Sequence, residues 1–234
     1  FILSILWIHI FYSTRMLTEV PALFFSLLSI YYFFKSSEEI QTKYFALSIL
    51  FLSISVLIRY PFGLLGVVYL FYFVLTQKTK FLAKKSFWIG GLLGLAPIFL
   101  FFLVNIISIG EFFPAAGIYA SSAGEKEAYA FYTIGFIKHI FQNPLYLMFI
   151  IGLLMAISKL VMGFDIIKKS KELSFNLFLL ILLCTTLFFL IFLIKYSEDR
   201  YLFLCAPSLI FLTSNGIVSI FSFVKKYSKS ASIV

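Results

Sequence analysis

Four side chains in this sequence have the chemistry to hold an anion at the edge of an apolar environment: Arg15, Glu19, Arg59 and Arg200. Arginine's planar fork matches phosphate or carboxylate in a bidentate way that lysine does not. A nearby carboxylate can orient that fork, pair with it, or accept a proton. All four sit in a chain of 234 residues that is 62% hydrophobic and only 12% charged, with 32 Phe, 14 Tyr and a mean hydropathy of +1.05. A soluble domain carries about 25% charged residues, so lipid is the solvent for most of this chain. Ionisable groups at membrane depth face a cavity or a partner rather than lipid. In "STRMLTEVPALFF", residues 13–25, Arg15 and Glu19 are four positions apart, the spacing at which they also simply pair with each other on one helical turn.

The elements that must position these residues are apolar runs at 1–13, 20–34, 44–58, 61–75, 86–107, 144–163, 174–194 and 202–224. A full crossing needs about 20 residues, so the first run is partial and several others are short. Runs such as "LFLLILLCTTLFFLIFLI" are continuous rather than alternating, which argues against a transmembrane barrel. The predicted fold is all-α, a polytopic transmembrane helix bundle of about eight segments. No linker or internal repeat divides it, so residues 1–234 form one domain. The chain opens at Phe1 inside an apolar run, with no basic leader and small-residue cleavage site, and is expected to be an N-terminally truncated fragment.

Loop charge assigns the two faces. One face takes 13 of the 19 basic residues, all of them Lys: Lys35, Lys43, Lys78, Lys80, Lys84, Lys85, Lys159, Lys168, Lys169, Lys171, Lys225, Lys226 and Lys229. It has four of the ten acids and is expected to be cytoplasmic. The other face holds Arg15, Arg59, Lys126, Lys138, Lys195 and Arg200 against six acids, so the formal charge of +9 sits on the cytoplasmic loops. Anionic lipid headgroups account for that charge without a nucleic-acid partner. Every Arg lies on the outer face; chance alone gives that arrangement about 2% of the time, beyond what the loop-charge bias predicts. Three external arginines at segment ends point to an anionic ligand. Snorkelling to headgroups is the plain alternative.

Each external piece contributes differently. "IRYPFG", 58–63, joins two short segments and is expected to place Arg59 below the outer surface, in a water-filled recess. The stretch 108–144 is rich in Gly, Ser and Ala in its first half and then spaces Phe131, Ile134, Ile137 and Ile140 as an interfacial amphipathic helix carrying Lys138 and His139. "KYSEDRYLFLCAPSLIFL", 195–212, begins as a charged turn and runs into the last helix with Pro207 inside it. Gly90, Gly94, Asn105 and Asn215 read as helix-packing features. Cys184 and Cys205 have no CxxC or His/Cys grouping and read as packing residues, and no metal site or cofactor is expected.

Three of these stretches together resemble the GT-C glycosyltransferases, in particular the protein O-mannosyltransferase and lipid A aminoarabinose transferase group. "STRMLTEVPALFF" resembles that group's Ser-Arg-x-x-x-x-(Asp/Glu) element. "YAFYTIGFIKHIFQNPLYLMFIIGLLMA" is similar to its external loop, which runs through an interfacial helix into a Gly-containing crossing. "DRYLFLCAPSLIFLTSNGI" is similar to its late Arg-Tyr-apolar-Pro helix. The resemblance implies a multi-pass protein of the cytoplasmic membrane that transfers a sugar, with inversion, from a polyprenyl-phosphate donor to a hydroxyl of a protein, lipid or glycan acceptor on the extracytoplasmic side. It implies a carboxylate general base in a first external loop, which would precede residue 1. The fragment alone is then expected to be inactive, with Glu19 as the fallback base. Arg15, Glu19, Arg59, Arg200 and Tyr201 are the expected donor-binding residues, with Lys138 and His139 as weaker candidates.

Two other classes would also put Arg and Glu at membrane depth. A transporter or flippase of an anionic lipid-linked substrate would show paired, Gly/Pro-interrupted helices in repeated halves, and no such halves are present. A polymerase or ligase of the O-antigen type is a second membrane glycosyltransferase reading.

Overall fold

The computed structural model describes residues 18–36, 40–110, 143–163, 167, 170–192 and 199–231. Within them the chain is helical, with no strand. The α-helices are α1 (Glu19–Ser36), α2 (Thr42–Ile58), α3 (Leu64–Gln77), α4 (Lys85–Gly94), α5 (Ala96–Ile109), α6 (Asn143–Met162), α7 (Lys171–Phe192) and α8 (Ala206–Ala231). Short 3-10 turns at Tyr60–Gly63, Lys80–Ala83 and Asp199–Cys205 lead into α3, α4 and α8. By length and composition four spans can cross a membrane: Tyr60–Gln77, Leu145–Met162, Lys171–Phe192 and Leu202–Lys225. The pair α4–α5 makes a fifth if counted as one span.

That fifth candidate, which corresponds to the apolar run at 86–107, is broken. The chain bends by 45° between Gly94 and Ala96. Pro97, in the first turn of α5, cannot donate to the carbonyl four residues back, so the helix breaks there.

Serines lock the first helices together. The Ser29 hydroxyl donates to the Ser48 carbonyl at 2.8 Å, and the Ser48 hydroxyl to the Ser29 carbonyl at 2.9 Å. Ser55 donates to the Ala22 carbonyl at 2.8 Å, and Ser53 to the Gly94 carbonyl at 2.8 Å. All four are buried. In lipid a buried hydroxyl must find a partner, and small side chains let backbones come close enough to supply one. These bonds fix α1 and α2 antiparallel in one register, because Ser29–Ser48 and Ala22–Ser55 are equally offset.

Glycines set two other contacts. A Cβ at Gly94 would meet Ile49 Cβ at 2.5 Å, and one at Gly90 would meet the Thr42 carbonyl at 3.1 Å, so α4 lies directly on α2 as the small-residue spacing predicts. Gly152 on α6 and Gly216 on α8 cross still more closely. A Cβ at Gly152 would lie 1.8 Å from the Leu212 carbonyl oxygen, and one at Gly216 would lie 2.0 Å from that of Met148. Between these pairs α7 packs on α3. Phe33 stacks on Tyr69 at 3.9 Å between centroids, and Phe178 closes the cluster against Phe33, Phe34, Tyr69 and Tyr72. Asn215 donates to Asn176 at 3.4 Å, which gives its expected packing role a partner on α7.

Candidate functional site

Glu19 opens α1, where its charge suits the positive end of the helix and Pro21 costs no hydrogen bond. The register of α1 on α2 carries Glu19 to the level of Ile58, the last residue of α2. There the chain leaves the helix. Arg59 is extended (φ −151°, ψ 105°), its amide still bonded to the Ser55 carbonyl, and Tyr60–Pro61 then start the 3-10 turn. Pro61 has no N–H to donate to the carbonyl four residues back, so α2 cannot continue through it without losing a hydrogen bond.

The result is an ion pair across the helix ends. Arg59 Nη2 lies 2.7 Å from Glu19 Oε1. The glutamate side chain is 1% exposed and the arginine 19%. The approach is electrostatic rather than a directed hydrogen bond, and neither carboxylate oxygen of Glu19 receives a hydrogen bond from a described residue. A buried carboxylate held mainly by charge is costly to keep, since desolvation opposes the attraction. Buried acceptors without donors are rare in folded proteins and need a specific reason.

A third element closes on this corner. The turn Asp199–Cys205, which contains Arg200 and Tyr201, packs against α1 and against the Tyr60–Gly63 turn. Its later residues, Leu202, Phe203, Leu204 and Cys205, are buried. The backbone therefore brings the segments of Glu19, Arg59, Arg200 and Tyr201 to one end of the bundle. Arg15, Lys138 and His139 lie outside the described residues. Among the described residues no group of three His, Cys, Asp or Glu could hold a metal ion.

Glu19 pairs with Arg59, forty positions along the chain. That pairing depends on helix register, which the serines carry and local spacing does not.

The model of one family, dolichyl-phosphate-mannose-protein mannosyltransferase, matches residues 1–103. The match supports a GT-C-like membrane glycosyltransferase. It covers Glu19, Arg59 and the helices from α1 to most of α5, and leaves Arg200 and Tyr201 beyond its end. No curated protein and no solved structure matches the chain. That match and the apolar spans together support an integral membrane protein.

Proposed function

We propose that this GT-C-like chain transfers a sugar from a polyprenyl-phosphate donor to an acceptor hydroxyl at the extracytoplasmic face, and that Arg59 contacts the donor phosphate. The observation that carries the reading is the buried Glu19–Arg59 pair at the meeting point of three segments. In such a transfer the acceptor oxygen attacks the anomeric carbon, the bond from that carbon to the phosphate oxygen breaks, and the phosphate departs with the electron pair. The acceptor proton passes to a carboxylate base. Charge grows on the leaving phosphate, so a guanidinium already fixed in place stabilises the transition state without reorganising. Glu19 supplies that fixing. It positions Arg59, while Arg15 and Arg200 add positive charge around the same phosphate and Tyr201 borders the sugar.

Donor-dependent transfer by the full-length protein tests this directly. Arg59→Lys keeps the charge but replaces a planar fork by a point charge. The expected result is a loss of transfer of at least tenfold with normal membrane insertion. A wild-type rate from Arg59→Lys would remove Arg59 from phosphate binding.

A further inference from the structure

The end of the bundle away from Glu19 holds a second concentration of charge. Glu19 and Lys35 stand at the two ends of α1, about 24 Å apart along its axis. Around Lys35 the structure has a cavity of about 820 Å³ between the ends of α1, α3 and α7, lined by Lys35, Lys78, Lys80, Lys84 and Lys171. Phe34 and Phe175 form part of its apolar wall, and Ser170 and Ser174 also line it. No acidic side chain among the described residues lines it. Glu172, next to Lys171 in the sequence, is engaged by Lys159.

Two ordinary explanations cover part of this. Lysines in the last turn of a helix complement its dipole, which suits Lys35, and cytoplasmic loops collect lysine in general. Neither explains why Lys80 and Lys84, on and just after a 3-10 turn, converge on the same cavity. Nor does either explain Lys78, which caps α3 at φ +54° and is the one non-glycine residue with positive φ among the described residues. Glycine is the natural choice for such backbone, and a strained side chain is kept where it is used. The volume lies within the range of ligand-binding sites rather than of packing defects.

We propose that this lysine cavity binds a phosphate-bearing anion, at a site separate from the Glu19–Arg59 corner. The lysines supply point charges, which suit phosphate without demanding a fixed orientation. The apolar wall allows the phosphate to be that of a lipid headgroup, and a water-soluble phosphate presents the same chemistry. This proposal does not rest on the transferase reading.

The test is a binding titration on the full-length protein in neutral detergent, read by native mass spectrometry and calorimetry. The ligands are phosphatidylglycerol, phosphatidylcholine and inorganic phosphate. Saturable binding of phosphatidylglycerol alone identifies a lipid source, and saturable binding of inorganic phosphate identifies a soluble one. The triple change Lys78→Gln, Lys80→Gln, Lys84→Gln should weaken that binding at least tenfold, whereas Arg at the same three positions should preserve it. Lys78→Gly suits the backbone there, so it should keep the fold and still weaken binding severalfold. Absence of saturable binding for both anions, equal binding of phosphatidylcholine, or affinity unchanged in the Gln triple and in Lys78→Gly would each overturn the proposal.

Discussion

Arg59 Nη2 sits 2.7 Å from Glu19 Oε1 at the junction of α1, the end of α2 and the Asp199–Cys205 turn. The two residues are brought together by helix register, and neither is exposed enough for solvent to replace its partner. Removing one charge should therefore cost far more than breaking a surface pair. An exposed pair contributes about 0.2–1 kcal/mol, whereas leaving a buried charge alone costs about 3–5 kcal/mol. Arg59 keeps some exposure, which places Glu19→Ala toward the lower end, about 3 kcal/mol. Unfolding of Glu19→Ala and Arg59→Ala in mixed micelles checks this; a change below about 1 kcal/mol in both would show the pair to be solvated.

The Gly152–Gly216 crossing gives an independent prediction about the fold. At each glycine the atom in the way is a backbone carbonyl oxygen, which cannot turn aside as a side chain could. Gly152→Ala or Gly216→Ala must push α6 away from α8, at a cost of about 1–3 kcal/mol or more. Gly91→Ala is the control, since its Cβ would meet only the Phe45 ring at an ordinary 3.9 Å. The same unfolding assay should show both crossing variants destabilised and Gly91→Ala close to wild type.

Most helices were legible in the sequence because continuous apolar runs leave the chain few alternatives in lipid. The runs at 20–34, 44–58, 61–75, 144–163, 174–194 and 202–224 correspond to α1, α2, α3, α6, α7 and α8. The run at 86–107 is legible as apolar, but its break at Pro97 is not, because a proline inside a run can also be absorbed by a kinked single span. Of the candidate site, the residue types could be read and their pairing could not. Glu19 meets Arg59 because Ser29, Ser48 and Ser55 set the register, and in the sequence those serines look only like polar interruptions. Gly152 and Gly216 were likewise invisible as a pair, since each stands alone in its own helix. The lysine cavity was hidden by an explanation that already sufficed for loop lysines, the charge bias of cytoplasmic loops.

The double variant Glu19→Leu, Arg59→Met separates a donor-serving role of Glu19 and Arg59 from that of a structural clasp. Replacing a buried ion pair with apolar residues of similar volume is often neutral or stabilising, so the double variant should regain most of the stability lost by either single change, to within about 1 kcal/mol of wild type. Donor-dependent transfer should not return with it. We expect the folded double variant of the full-length protein to remain at least a hundredfold below wild type in that reaction. Transfer restored along with stability would remove both residues from donor binding and leave Glu19 and Arg59 as a buried strut between α1 and α2.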